Sequence, residues 1–278
     1  MFKKIYIETT NYCNINCSFC KASIRKKTFL TLDEFNFILG KVKGYTNYIY
    51  LHVLGEPFAN PNINGYIISA KDNGIKVNLT TNGTLLKEKQ DILSNKYLDN
   101  IHQINISLHC EFENIMGFDD YFDNIAYFSK IASEGAYINL RLWGDGEGKA
   151  IIEKLNRIFS TNIDSGGFKR NKAITLQKNI FLHWDRKFVW PELGGEEIFT
   201  GGKCYALKDQ IAILSNGVVT PCCLDADGNM ALGDIFKENM CDILNSERAL
   251  NIVKNFSARK VAEKFCKTCG FALRNNSL

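Results

Sequence analysis

Three cysteines near the start of the chain, Cys13, Cys17 and Cys20, are spaced C-x3-C-x2-C. Three thiolates on one short loop can hold three irons of a four-iron cluster, because cysteine sulfur is the usual ligand and a compact loop makes the side chains converge. The fourth iron is then left without a protein ligand. Open coordination of that kind marks a centre that binds a substrate or cofactor rather than one that only braces the fold. A second set, Cys204, Cys222, Cys266 and Cys269, lies late in the chain and supplies four more thiolates. Either set taken alone also fits zinc, as a knuckle near the N-terminus or a ribbon near the C-terminus, and the chain would then be a zinc-bound interaction protein.

The 278 residues suit one α/β barrel with a sizeable core, and the apolar fraction of 45% is ordinary. No apolar run approaches the ~20 residues that span a bilayer, and the apolar stretch at the N-terminus is too short for a signal peptide. Ten cysteines in such a chain point to metal ligands in a reducing cytoplasm rather than to disulfides. A formal charge of +4, with lysines spread along the chain, calls for no nucleic acid, and no membrane partner is expected.

Apolar, β-rich runs alternate with helical patterns over the first two-thirds, which predicts a parallel sheet of strand–helix units. Strands are expected near 4–9, 48–53, 75–80, 102–108, 136–142 and 179–183. Helices are expected near 31–43, 62–73, 85–94, 119–134 and 148–160, the first opened by a capping box at Thr31-Leu32-Asp33-Glu34. From this periodicity alone the sheet could equally be open and doubly wound. Beyond about residue 185, Gly- and aromatic-rich sequence reads as a linker (185–203). A module at 204–278 follows, built on two strands joined at Asn216-Gly217 and helices near 234–244 and 246–255.

The stretch Glu8-Thr9-Thr10-Asn11-Tyr12-Cys13-Asn14-Ile15-Asn16-Cys17-Ser18-Phe19-Cys20, with an aromatic residue before the last cysteine, resembles the signature of the radical S-adenosylmethionine (SAM) superfamily. The resemblance implies a partial (β/α)6 barrel over residues 1–184 and a four-iron cluster on Cys13, Cys17 and Cys20 that chelates SAM. Gly55-Glu56-Pro57 looks like the family's segment whose backbone receives the methionine ammonium, and Thr81-Asn82 lies in another recurrent segment. Ser107 sits where relatives place a ribose contact. Asn139 or Arg141 could meet the SAM carboxylate, Arg through its bidentate fork. Cys204, Gly217 and Cys222, closed by Cys266 and Cys269, resemble the SPASM and twitch modules and imply one auxiliary four-iron cluster, with Cys222 favoured over Cys223 by spacing. The layout is especially similar to the radical SAM dehydrogenase of aminocyclitol biosynthesis.

The implied chemistry is reductive cleavage of SAM to a 5′-deoxyadenosyl radical and hydrogen abstraction from a substrate C–H bond. Net oxidation of a sugar- or cyclitol-like metabolite is the expected outcome, with peptide modification and thiol-quenched epimerisation as alternatives. Cys110, just past a strand and expected to face the site mouth, and Cys223 are candidate hydrogen donors. His52 and His109 are candidate bases, since histidine titrates near the working pH. Cys241, on a helical stretch, reads as a small core residue. The run Arg25-Lys26-Lys27 reads as a solvated face that could dock an electron donor such as flavodoxin or ferredoxin. The substrate, a small molecule or a peptide, is not legible.

Overall fold

A computed structural model describes residues 1–144, 148–164 and 173–276. Six strands run parallel in the order β1 (Lys4–Ile7), β2 (Tyr48–Tyr50), β3 (Lys76–Thr81), β4 (Ile101–Ser107), β5 (Tyr137–Trp143) and β7 (Ile180–Asp185). Helices α1 (Leu32–Val42), α2 (Ile63–Asp72), α4 (Phe118–Ala132) and α5 (Lys149–Phe159) lie in the connections. The short α3 (Asn95–Leu98) precedes β4, and β6 (Ala173–Gln177) pairs antiparallel on the far edge of β7. This is the partial barrel expected from the sequence, with the sixth strand and a preceding hairpin now resolved.

Alternation along the strands sets the two faces of the sheet. Ile5, Ile7, Ile49, Val77, Leu79, Ile104, Ile106, Ile138, Leu140 and Leu182 are fully buried and pack in the main core with Phe35, Ile38, Tyr66, Tyr121 and Ile125 of the helices. The opposite positions are polar or aromatic: Lys4, Tyr6 and Glu8; Tyr50 and His52; Asn78; Asn105 and Ser107; Asn139, Arg141 and Trp143; His183 and Asp185. Parallel sheets covered by apolar layers on both faces are apolar on both. The polar concave face therefore belongs to a lumen built for polar groups. At one end of it, Tyr48, His102 and Tyr137 form a chain of ring contacts, with centroids 4.8 and 5.6 Å apart.

The C-terminal hairpin is not a separate layer. Its first strand, β8 (Gln210–Ile213), pairs parallel with β1, so that Tyr6 faces Ala212 across the ladder, and β9 (Val218–Thr220) and β10 (Gly233–Asp234) extend the same sheet. Gly217, at φ +87°, takes the left-handed turn position, where a Cβ would meet the Phe236 ring at 2.3 Å. Helices α6 (Met240–Leu244), α7 (Glu247–Ser257), α8 (Lys264–Lys267) and α9 (Gly270–Asn276) complete the chain.

Two expected helices differ. Residues 85–94 form turns and a 3₁₀ segment at Gln90–Leu93, after Asn82 draws Thr84 into a local turn through its side-chain oxygen. The segment 234–244 begins instead as β10, because Asp234 accepts from Phe236 N–H and turns the chain, and the helix starts only at Met240. The capping box at Thr31 and Glu34 forms as read.

Candidate functional site

The loop after β1 carries Cys13, Cys17 and Cys20, and its returning arm is stitched to its outgoing arm. Thr10 donates to Thr28 O (2.8 Å), and Asn11 both donates to Lys26 O (3.0 Å) and accepts from Thr28 N–H (2.8 Å). The three thiols lie within electrostatic reach of one another, and burial raises the pKa of Cys13 and of Cys17. Asn82 Nδ2 donates toward Cys13 Sγ (3.6 Å), and Glu111 N–H donates to Cys17 Sγ (3.3 Å). Such donors stabilise the thiolate form that a metal cluster requires.

Gly55, Glu56 and Pro57 form a shelf directly beneath this loop. Gly55 has φ +76°, and a Cβ there would lie 2.4 Å from Thr10 O, so only glycine permits the approach. Glu56 is buried and braces the site: its N–H donates to Tyr12 O (2.8 Å), and its carboxylate accepts from Phe58 N–H (3.0 Å) and Asn82 N–H (2.7 Å). Burial raises its carboxyl to about 7 against those hydrogen bonds and one from Thr81. Thr81 also accepts from Gly83 N–H, while Asn82 reaches Asn14 Oδ1 (2.9 Å).

Deeper in the lumen the predicted residues separate into spent and open groups. Asn139 is spent, donating to Asn105 Oδ1 (3.2 Å) and meeting His183 Nε2 through its own Oδ1 (2.9 Å). His109 stacks on Trp143, contacts the Phe19 ring and bonds Arg141 O through Nδ1 (3.0 Å), and burial lowers its pKa to about 4. Cys110 does not face the mouth as expected. Its thiol is in the core, donating to Asn82 O (3.1 Å) beside the Tyr121 hydroxyl (3.2 Å), and burial lifts it to about 12. Arg141 is open: its guanidinium lies 4.2 Å from the Trp143 ring centroid and has no carboxylate partner among the described residues, and burial lowers its pKa to about 10. His52 is open too. Its Nδ1 is buried with no hydrogen-bond partner, its ring meets Tyr6 edge-on, and burial lowers its pKa to about 3. Ser107 lies opposite Arg141 in the ladder.

The late cysteines converge as well. Cys222 senses Cys204, Cys266 and Cys269 electrostatically, and burial pushes its thiol well above the ordinary range. Backbone N–H groups of Tyr205 and Ala206 donate to Cys204, and that of Ala272 donates to Cys269 (3.4 Å). Cys223 is within electrostatic reach of Cys222 and Cys269 but has a further partner. It meets the Tyr6 hydroxyl within a small apolar cluster of the lumen wall that includes Tyr50, Leu54 and Trp190. Cys241 is exposed on α6, not packed in the core. Among the described residues no three His, Cys, Asp or Glu side chains gather as a single metal ion would require.

The reading of Arg25-Lys26-Lys27 as a solvated face needs correction at Arg25. Its guanidinium pairs with both oxygens of the fully buried Glu8 (2.7 Å each) and donates through Nε to Ala226 O (2.7 Å), while Ser215 donates to the same carboxylate. Lys21 and Ser23 meanwhile hold Asp227 (2.9 and 3.1 Å). Trp190, in the segment read as a linker, donates to Phe19 O (3.2 Å). These contacts tie the first cysteine loop to the C-terminal segment. The sequence signal was Glu8 itself, an acid on the lumen face of an otherwise apolar strand, which needs a cation once buried.

The chain matches the family model of the radical SAM superfamily over residues 7–140, and that of an iron–sulfur cluster-binding domain, SPASM, over residues 204–270. No curated protein matches its sequence. Among solved structures, BtrN in complex with AdoMet and 2-DOIA is similar at 15% identity and TM-score 0.58, with 97% of this chain and 93% of that chain covered. The protein anSMEcpe with bound AdoMet is similar at 14% identity and TM-score 0.63, over 97% and 89%. SuiB of Streptococcus suis bound to the precursor peptide SuiA follows at 16% identity and TM-score 0.57, over 97% and 70%. Both cysteine sets have the donor chemistry that a SAM-binding [4Fe-4S] cluster and auxiliary iron–sulfur chemistry require. The chain carries a radical SAM domain in its N-terminal half and a C-terminal iron–sulfur cluster-binding module of the SPASM type.

Proposed function

We propose that this chain is a radical SAM oxidoreductase that removes hydrogen from a small polar metabolite held in the barrel lumen. The observation that carries the reading is that both thiol sets adjoin the polar face of the sheet, the first on the loop after β1 and the second through Cys222, whose neighbour Cys223 meets Tyr6 on that face. When bound, SAM and its cluster supply a 5′-deoxyadenosyl radical that takes a hydrogen atom, and one auxiliary [4Fe-4S] cluster supplies a one-electron acceptor. Cys13, Cys17 and Cys20 would hold the first cluster, and Cys204, Cys222, Cys266 and Cys269 the second.

The chain's own residues would bind and orient. The backbone at Gly55–Pro57, placed by Glu56, would receive the methionine ammonium, Thr81-Asn82 would flank it and Ser107 would meet the ribose. Arg141, with no carboxylate within ion-pair distance among the described residues, is better suited than the spent Asn139 to take the SAM carboxylate. His52, with Nδ1 unpartnered among the described residues, is more available to a substrate than His109, but burial lowers both rings far below the working pH and makes each a weak base.

A reductant of the flavodoxin or ferredoxin kind would supply the electron, in a cytoplasm that keeps all ten cysteines unpaired. No helix among the described residues is long and apolar enough to cross a membrane. Anaerobically reconstituted protein given dithionite and SAM should release 5′-deoxyadenosine; iron-replete protein that releases none would overturn the reading.

Cys223 supports a second outcome, epimerisation, because its thiol reaches the lumen beside Tyr6. Oxidation gives a product two hydrogens lighter. Epimerisation conserves mass and in heavy water places one deuterium at the abstracted carbon, a step that Cys223→Ala would stall without stopping SAM cleavage.

A further inference from the structure

The lumen holds more positive than negative charge, and the excess is not used by the fold. Its acids are committed: Glu8 to Arg25 and Ser215, and Asp185 to Arg274 at 3.1 Å. Of its cations, Arg141 and Lys4 have no carboxylate partner among the described residues. Lys4 rises from the start of β1 with Nζ 5.6 Å from the Tyr50 ring centroid, and its charge is felt at both His52 and Cys223. Within reach of that charge, His52 Nδ1 is buried with no hydrogen-bond partner among the described residues. An ammonium without a carboxylate partner among the described residues, within electrostatic reach of a buried ring nitrogen that has no hydrogen-bond partner, leaves that nitrogen's desolvation cost for a ligand to offset. The sugar- or cyclitol-like metabolite expected from the sequence gives by itself no reason for that excess.

We propose that the substrate carries an anionic group, a carboxylate or a phosphate, seated between Lys4 and His52. The inference rests on the proposed function in one respect, that Arg141 is occupied by the carboxylate of SAM, which leaves Lys4 as the cation for the substrate. An acid bound by Lys4 on the β1–β2 side of the lumen would place the rest of a small molecule toward Cys223, and so between the two thiol sets. The charge would also discriminate, since an amine would meet like charge and a neutral polyol would leave the ammonium unpaired.

The test is binding, measured by calorimetry on reconstituted protein saturated with SAM but without reductant. The probes are inorganic phosphate, D-glucose 6-phosphate and D-glucuronate, with D-glucose and D-glucosamine as neutral and cationic counterparts. At least one class of acid should bind saturably, and Lys4→Met should weaken it about tenfold or more, the scale of one charge-assisted hydrogen bond. Preference for glucuronate over the two phosphates, or the reverse, decides which headgroup the site takes. Binding of glucose or glucosamine as tight as that of the acids, no saturable acid binding, or acid binding indifferent to Lys4→Met would each overturn the proposal. So would loss of SAM affinity in Lys4→Met, since it would assign Lys4 to the cofactor. The two readings fail separately: unchanged SAM affinity in Arg141→Met would remove the carboxylate assignment while leaving acid binding to be scored through Lys4.

Discussion

The N-terminal thiols come from one loop between Cys13 and Cys20, with Cys20 exposed, whereas the C-terminal four come from three separated segments and are buried or half-buried. Besides the local Ile15 N–H at Cys13, the first loop takes donors from elsewhere in the chain, Asn82 after β3 and Glu111 after β4. In the second set, Cys204 and Cys269 take N–H donors from the residues that follow them. A centre that must leave one iron open for a ligand needs an accessible rim and is braced from the barrel. A centre whose sulfur set is complete can be enclosed by its own turns. The difference predicts independent assembly but shared dependence on the contacts that tie the two regions together.

The sharpest break of that comparison is Cys13→Ala/Cys17→Ala/Cys20→Ala. It should abolish 5′-deoxyadenosine release and lower iron from about eight to about four per chain, the content of one remaining four-iron cluster. Equal loss of iron from both regions would show that the centres do not assemble independently. Next, Cys222→Ala should remove iron from the auxiliary centre, while Cys223→Ala should leave the iron content unchanged, because Cys223 turns to Tyr6 and the lumen. The reverse order would exchange their roles.

A contact that joins the two regions is the next target. Arg25 is 11% exposed and Glu8 fully buried at the side chain, so Arg25→Met would strand a buried carboxylate, a loss of about 3–5 kcal/mol. Thermal unfolding of the variant should shift accordingly, and Glu8→Gln added to it should restore part of the loss. An unchanged melting temperature in Arg25→Met would mean that the two regions do not rely on this pair.

That pair also marks where the sequence stopped being informative. The six parallel strands were legible because Ile5, Ile7, Ile104, Ile106, Ile138 and Leu140 recur at every second position. The cysteine sets were legible because ligand spacing within a loop is local. Lys178-Asn179 was missed as a hairpin turn, although Asn179 takes the left-handed conformation (φ 60°) that asparagine tolerates. The pairing of β8 with β1 lies some 200 residues apart in sequence and leaves no local signature. For the same reason Arg25 read as surface, since only the fold brings Glu8, Ser215 and Ala226 around it. Cys110 and Cys223 were alike as spare thiols, and only packing separates the core residue from the lumen residue.

The smallest expected effect concerns the first loop's outermost brace. Glu111 is exposed and accepts from the N–H (3.0 Å) and hydroxyl of Ser18, between Cys17 and Cys20. Those two bonds, the hydroxyl one first, hold its carboxyl below the ordinary range. A carboxyl lowered on folding contributes stability that is present above its unfolded value, about 4.3, and lost as pH falls through the folded one. Glu111→Gln keeps an acceptor but loses the charge. Iron should therefore leave the N-terminal cluster to a chelator roughly two to five times faster, the scale of one exposed charged contact, with the auxiliary centre unaffected. Because the carboxylate stays ionised throughout, the ratio of variant to wild-type rates should be constant from about pH 8 to about pH 5.5. A ratio that collapses toward one within that range, or faster loss from the auxiliary centre, would show that Glu111 does not brace the loop through its charge.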